Sequence, residues 1–457
     1  MNKYFITTAI PYINAKAHIG HVQEFLLADT LKRSLASQGY EVLLQSGTDD
    51  NSLKNIESAK KNNFPLEDYL RTQGDQFKDL LSKINVDYDL FVQTSHINHH
   101  TAVKDFIDRI NPEDLYIKNY EGLYCAGCED FIKEKELISG VCPDHLSVPK
   151  TIKEENVFFK LSKYQKQIYE VIDKNIVKIN PSFRKKEILN FISQGLDDIS
   201  ISRPKEIEGF GVDFPNKEGQ IVYVWIDALV NYLTGLGLGS NNSWQKEWDS
   251  RYKVHVIGKN VWKFHAIYWI GLLLSTKISL PNEILIHGFL TSEGVKISKS
   301  LGNGIDLEGL LKKHSSGVIR SYLFGKLNYE QDSDFSVKDL DKFYLDEIVH
   351  QIGNVFPRVF TLAKNNHYNL KLKLPKPEIS WNSIYLELLK EVQLLNKEIN
   401  DSKIWKSEDL KENIYLLKKW NNSLNYIASL LIVLVPEKRD SIRASFNEKN
   451  IIFNKNE

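Results

Sequence analysis

The chain has 457 residues, 42% of them apolar and 26% charged. That is an ordinary globular composition, long enough for about three domains. Disorder, collagen-like repeats and membrane spans are excluded as global descriptions. The longest apolar runs, near 267–274 and 426–435, reach about half of the ~20 residues that a bilayer demands. Lys plus Arg number 59 and so do Asp plus Glu, so bulk charge announces no nucleic-acid partner, although a local basic face would be enough for one. The three cysteines, Cys125, Cys128 and Cys142, are too few for a disulfide framework and point to a reducing compartment. The N-terminus mimics a signal peptide, but Pro11 and Asn14 break its apolar run, and a cytoplasmic location is expected.

Lys3–Ile10 reads as a short strand ending in Pro11-Tyr12-Ile13-Asn14. Between Val22 and Ser37, Val22, Phe25, Leu26, Leu31 and Leu35 recur near one side, a helix stopped by Gly39. Glu41–Gln45 reads as a second strand, followed by the polar turn Gly47-Thr48-Asp49-Asp50-Asn51. Strand, helix, strand makes a βαβ unit and hence a parallel sheet with covered faces, which Lys253–Ile257 and Glu283–Leu290 extend. An insertion, 114–200, separates the halves and holds every cysteine. Beyond it, Leu345, Ile348, Ile352, Val355 and Val359, then Tyr385, Leu388, Val392, Leu395 and Ile399, recur at helical spacing, and a long pattern runs from Glu408 to Val435. Pro357 predicts a kink, and Pro375 and Pro377 favour a connecting loop over an edge strand near 365–376. The expected architecture is a Rossmann-type doubly wound α/β sheet in two parts, 1–113 and 201–292, with the insertion between them, a loop region at 293–344 and an all-α helical bundle at 345–457.

His18-Ile19-Gly20-His21 falls between the first strand and the first helix, where an open sheet binds ligands and a helix N-terminus favours phosphate. Lys296-Ile297-Ser298-Lys299-Ser300 follows the last strand and makes a cationic clamp. Either segment alone is weak, because isolated histidines are usually structural and basic loops usually just solvated. Together, in this order, they resemble the paired signatures of class I aminoacyl-tRNA synthetases, with Ile297 in place of the usual Met, an apolar swap of similar size.

The resemblance narrows with Ala9-Ile10-Pro11-Tyr12, Gly47-Thr48-Asp49, Tyr223-Val224-Trp225-Ile226-Asp227-Ala228-Leu229 with Tyr232, and Phe264-His265-Ala266-Ile267-Tyr268-Trp269. These look like the methionyl-tRNA synthetase family along nearly the whole chain to about residue 440. The resemblance implies a methionine pocket lined by Ile10, Tyr12, Trp225, Ala228, Leu229, Tyr232 and His265, with Asp49 on the substrate ammonium. A soft thioether packs well on aromatic rings, and the polar tips of Tyr12 and His265 are expected to address its sulfur. It also implies ATP held by His18, Gly20, His21, Lys296, Ser298 and Lys299, with Asp213 and Asn260 at the ribose. Of these, His18, His21, Lys296 and Lys299 are the expected catalytic groups, with Mg²⁺ on the phosphates. The chain departs from the family at Asp50-Asn51-Ser52, where Glu, His and Gly are usual, at Asn260 for Asp, and at Asp213 for Glu. These departures bear on affinity and fine specificity.

Cys125-x2-Cys128-x13-Cys142-x2-His145 has the spacing of a closed, structural tetrahedral Zn²⁺ site. The alternative is a set of buried thiols with an incidental histidine. The family implies a zinc knuckle here, often with four cysteines, so His145 is the odd ligand. In the bundle, Asn354 and Arg358 share a helix face. By resemblance they and Trp405 read the anticodon, and unstacked bases do stack on aromatic and guanidinium planes. The bland reading is a polar pair and a tryptophan packed on the bundle.

The expected reaction is ATP-dependent activation of L-methionine to its adenylate and transfer to the 3′ end of methionine tRNA, initiator and elongator alike, by the short, monomeric form without a membrane. Three other readings stay open. Another class I synthetase is opposed by the run around Trp225, an amino-acid-activating paralogue without tRNA by the bundle, and a non-enzymatic tRNA binder by the lysine loop.

Overall fold

The structure, a computed structural model, describes residues 2–125, 127, 130–132, 134–143, 147–292, 294–297, 304–448 and 452–453. A 6-stranded sheet forms its centre. Strand β1 (Lys3–Thr8) lies between β2 (Glu41–Thr48) and Tyr252–Gly258; β3 (Leu90–Gln93) flanks β2, and Glu283–His287 and then Lys178–Asn180 complete the other side, every pairing parallel. Ile6 stands opposite both Leu44 and Val254. Phe5 and Ile6, on opposite faces of β1, are both fully buried, as a sheet covered on both faces requires. Helix α1 (Ile19–Ser37) carries the chain from β1 to β2, and the other side is filled later in the sequence. The strand order therefore reverses between β1 and Tyr252–Gly258, which opens a crevice at their carboxyl ends.

Lys178–Asn180 lies inside the block 114–200, so that block is not wholly outside the sheet. Three residues are too few to show a period, and nothing local marks them as a strand. The rest of the block builds a 4-stranded antiparallel sheet in which Leu115–Cys125 pairs with Lys150–Phe159. At its base Arg203 and Glu154, both buried, are joined by two hydrogen bonds of 2.8 and 2.5 Å, the bidentate geometry that makes a buried charge tolerable.

The bundle is built from Asn354–Asn365, Ile384–Ser402 and Leu410–Leu434. Leu388, Val392 and Ile399 on one and Leu417, Trp420 and Leu424 on another have no exposed surface. The chain winds as a wider π-helix over Tyr344–Gly353 and becomes α-helical at Asn354, Pro357 sitting in the first turn. The helix runs on without a break from the π-helical stretch, so Pro357 lies inside it and lacks the N–H of one rung close to where the winding changes. The segment 366–380 forms neither strand nor helix. Its backbone is bonded by side chains instead: Lys371 and Lys373 donate to Asn421 and Asn425 at 3.0 Å each.

One buried ion pair ties α1 to the bundle. Asp29 accepts from Arg320, and Arg320 also donates to the carbonyls of Val433 and Leu434 at 3.4 and 3.2 Å. Among the described residues no helix is long and apolar enough to cross a membrane.

Candidate active site

Helix α1 begins at His18, an unusual N-cap. Gly20 N–H donates to His18 Nδ1 at 3.1 Å, His18 N–H donates to His21 Nδ1 at 3.2 Å, and the rings stack at 3.9 Å. Because each Nδ1 accepts, each ring carries its proton on Nε2. A side chain at Gly20 would put its Cβ 3.0 Å from the His18 ring, so glycine here makes room for the cap.

A cavity of about 360 Å³ opens beside this turn, at the crevice. It brings together Ile10, Tyr12, Asp49, Trp225, Ala228, Leu229, Tyr232 and His265 with His18, Gly20, His21 and Asn260, all expected from sequence. Asp213 does not line it. Its half-exposed carboxylate pairs with Lys205 at 2.6 Å, which holds it below the usual carboxylate range. Val295–Lys296 pairs with Leu290–Ser292 in a hairpin, and Ile297 reaches the cavity wall. The Lys296 side chain, Ser298 and Lys299 lie outside the described residues.

At the far end, Asp49 N–H donates to Pro11 O at 2.9 Å and Asp49 bridges Tyr12. The two segments thus stay side by side beyond the sheet. The helix Val224–Thr234 presents Trp225, Ala228, Leu229 and Tyr232, spaced three and four apart, on one face. Trp225 stacks flat on Phe264 at 3.8 Å and meets Tyr12 edge-on at 6.0 Å. His265 Nδ1–H donates to Val261 O at 2.9 Å, and its Nε2 accepts from the Tyr232 hydroxyl at 2.6 Å. Burial pushes His265 down to about 4 and the Tyr232 hydroxyl up, so both are neutral. Both His265 nitrogens are therefore in use within the protein. Behind them His255, fully buried and held far below its usual range by desolvation, bonds Thr7 Oγ1 at 2.7 Å and accepts from Trp269 Nε1 at 3.3 Å.

Sequence reasoning missed Glu24 and His287, which also line the cavity and pair at 3.0 Å, His287 Nδ1 bonding Gly288 O at 2.8 Å. Glu24 lies one turn beyond His21 on α1, a signal legible in the sequence. The pairing with a residue so far along the chain is not.

In the insertion, Cys125 and Cys142 are buried. Cys125 Sγ stands 3.8 Å from Ser147 Oγ, and Cys142 N–H donates to Ser147 O at 2.9 Å, so one serine draws both cysteines together. Cys128 and His145 lie outside the described residues, among which no set of three metal-binding groups occurs. In the bundle, exposed Asn354 donates to His350 O, Arg358 donates to Asn396 at 3.0 Å and to Asn400, and Trp405 is 52% exposed rather than packed.

The family model for class I (M) tRNA synthetases matches residues 4–148 and 145–360. The methionine--tRNA ligase of Fusobacterium nucleatum is 36% identical over 79% of this chain and 57% of that protein, so the chain spans less than two thirds of that relative. The methionine--tRNA ligase of Helicobacter pylori strain J99 is 33% identical over 98% of this chain and 73% of its own length. A Mycobacterium tuberculosis methionyl-tRNA synthetase in complex with methionyl-adenylate superposes with a TM-score of 0.87 at 28% identity, covering 97% of this chain and 93% of that one. With its crevice, its paired histidines and its aromatic pocket, the chain belongs to the methionyl-tRNA synthetase family of class I.

Proposed function

We infer that the protein is a methionine--tRNA ligase acting in the cytoplasm, which joins methionine to AMP at the expense of ATP and then to methionine tRNA. The observation that carries this is one continuous cavity. One end is aromatic and neutral, a surface that suits a thioether; the other is a helix N-terminus with two imidazoles. Asp49, on the cavity lining beside Tyr12, is assigned to the ammonium. The substrate carboxylate attacks the α-phosphorus and pyrophosphate leaves. The Nε2–H groups of His18 and His21 meet charge that grows on the phosphates, and Lys296 and Lys299 are assigned to the same task, so catalysis is positioning plus charge stabilisation. Asn260 is assigned to the ribose. Mg²⁺ bound with ATP would supply further phosphate neutralisation.

Cys125, Cys128, Cys142 and His145 are assigned to a structural Zn²⁺. Two buried thiols, those of Cys125 and Cys142, are soft donors that suit this ion. Asn354, Arg358 and Trp405 are assigned to the anticodon, and a half-exposed tryptophan is available for stacking on a base. Pyrophosphate exchange with each of the twenty amino acids, followed by charging of total tRNA, tests the reading. Exchange with methionine and charging of methionine tRNA is expected; exchange with a different amino acid, or none, overturns it.

A further inference from the structure

The departures Asp50, Asn51 and Ser52 all turn inward, each 5% exposed or less. Asn51 stands two residues beyond Asp49. Its Nδ2 donates both to Thr94 O and to Asp227 Oδ2, at 3.0 Å each, which uses both protons of the amide. Asp227 belongs to the helix that carries Trp225, Ala228, Leu229 and Tyr232, but it faces the other way. Asp227, Asn231 and Thr234, spaced four and three apart, form the polar back of that helix. Each has a fixed partner. Asn231 accepts from Gln45 of β2 at 2.8 Å. Thr234 meets His99 Nδ1 at 2.8 Å, and the other nitrogen of the same ring stands 3.3 Å from Asp227 Oδ1. Gln45 thus holds the helix to β2, and His99 holds its C-terminal end through Thr234. Asn51 makes the tie at the level of Asp49.

We propose that Asn51 is a positioning residue: acting through Asp227, it sets the separation between the ammonium subsite at Asp49 and the thioether subsite on the helix. It touches no substrate. Its effect falls on ligands that must reach both subsites at once, because a misplacement of a fraction of an ångström is felt only when both are filled. This rests on the methionine reading above, so wild-type protein without methionine-dependent exchange would remove that reading first.

The test compares methionine with 4-(methylthio)butanoate, which has the thioether chain and carboxylate but no ammonium. In Asn51→Ala the KM for methionine in pyrophosphate exchange is expected to rise about tenfold, with the KM for ATP and the inhibition constant of the deamino analogue within about twofold of wild type. General loosening would weaken both ligands alike and overturn the proposal, as would an unchanged methionine KM. If Asn51→Ala does not fold, Asn51→Ser is read in the same way. A cycle with Asp227→Asn adds a second criterion: the two substitutions should be markedly less than additive in methionine KM, and additivity would show that Asn51 does not act through Asp227.

Discussion

Among the histidines of the cavity and the wall behind it, two pairs share a residue type and little else. His18 and His21 sit at the mouth of α1 with each Nδ1 bonded to backbone, stacked at 3.9 Å. His255 and His265 are wholly surrounded by Thr7, Trp269, Tyr232 and Val261, and desolvation keeps them uncharged. The first pair stands at a helix N-terminus on the cavity lining, where it is assigned to meet a growing negative charge. The second uses its polar atoms inside the protein and presents only neutral surface. What separates donor from wall is where the hydrogen bonds of the ring go.

The sharpest way to break this contrast is at the mouth. His18→Asn keeps a side-chain acceptor for Gly20 N–H, so the cap survives, but it removes the Nε2–H. Pyrophosphate exchange should fall roughly 10²–10³-fold in kcat, with methionine KM within about threefold. His18→Ala should add about 1 kcal/mol of lost stability from the cap, visible in denaturant melts. A small rate effect in His18→Asn would mean the imidazole serves the helix alone.

The buried pair predicts a pH signature of stability. His265, at about 4 in the fold, is protonated in the unfolded chain below about 6.5. Its contribution is full above pH 6.5 and is lost as pH falls through 4, roughly 3 kcal/mol in all. Asp50 works in the opposite direction. Burial pushes it up to about 6 from an ordinary 3.8, so the folded form holds a proton that the unfolded chain does not. Its contribution is present below about 3.8 and lost as pH rises through 6. The two windows nearly coincide and largely cancel each other. Asp50→Asn removes one side of the balance. Between pH 7 and 4.5 its unfolding free energy should drop about 2 kcal/mol more than that of wild type, and an identical drop would show that Asp50 ionises normally.

Much of this site is legible in the residues alone. Trp225, Ala228, Leu229 and Tyr232 have helical spacing, and a βαβ unit dictates where its ligand binds. Other parts are not. Strand order in a parallel sheet is decided by pairing across the chain, so the edge strand Lys178–Asn180 leaves no local mark. Asp213, expected at the ribose, stands outside the cavity lining and pairs with Lys205 eight residues before it, a contact its sequence position does not announce. His255 reads as one more residue in a buried strand, and only the crossing of Trp269 and Thr7 shows why it is an imidazole.

The smallest expected effect lies at the contact between the two kinds of surface. The Tyr232 hydroxyl is the group that keeps His265 Nε2 satisfied, and both side chains line the cavity. Tyr232→Phe removes that donor and leaves a buried acceptor without a partner, which costs about 1–3 kcal/mol. The ring and its tilted contact with His255, 4.2 Å away, survive, so the cavity keeps its shape. A structural wall then predicts lower thermal stability with methionine KM changed severalfold at most. A chemical role for the hydroxyl predicts the reverse, a large loss of exchange in a protein that melts where wild type does. The first outcome would place selection of the thioether in the shape and dryness of the pocket, with its polar atoms there to hold the walls.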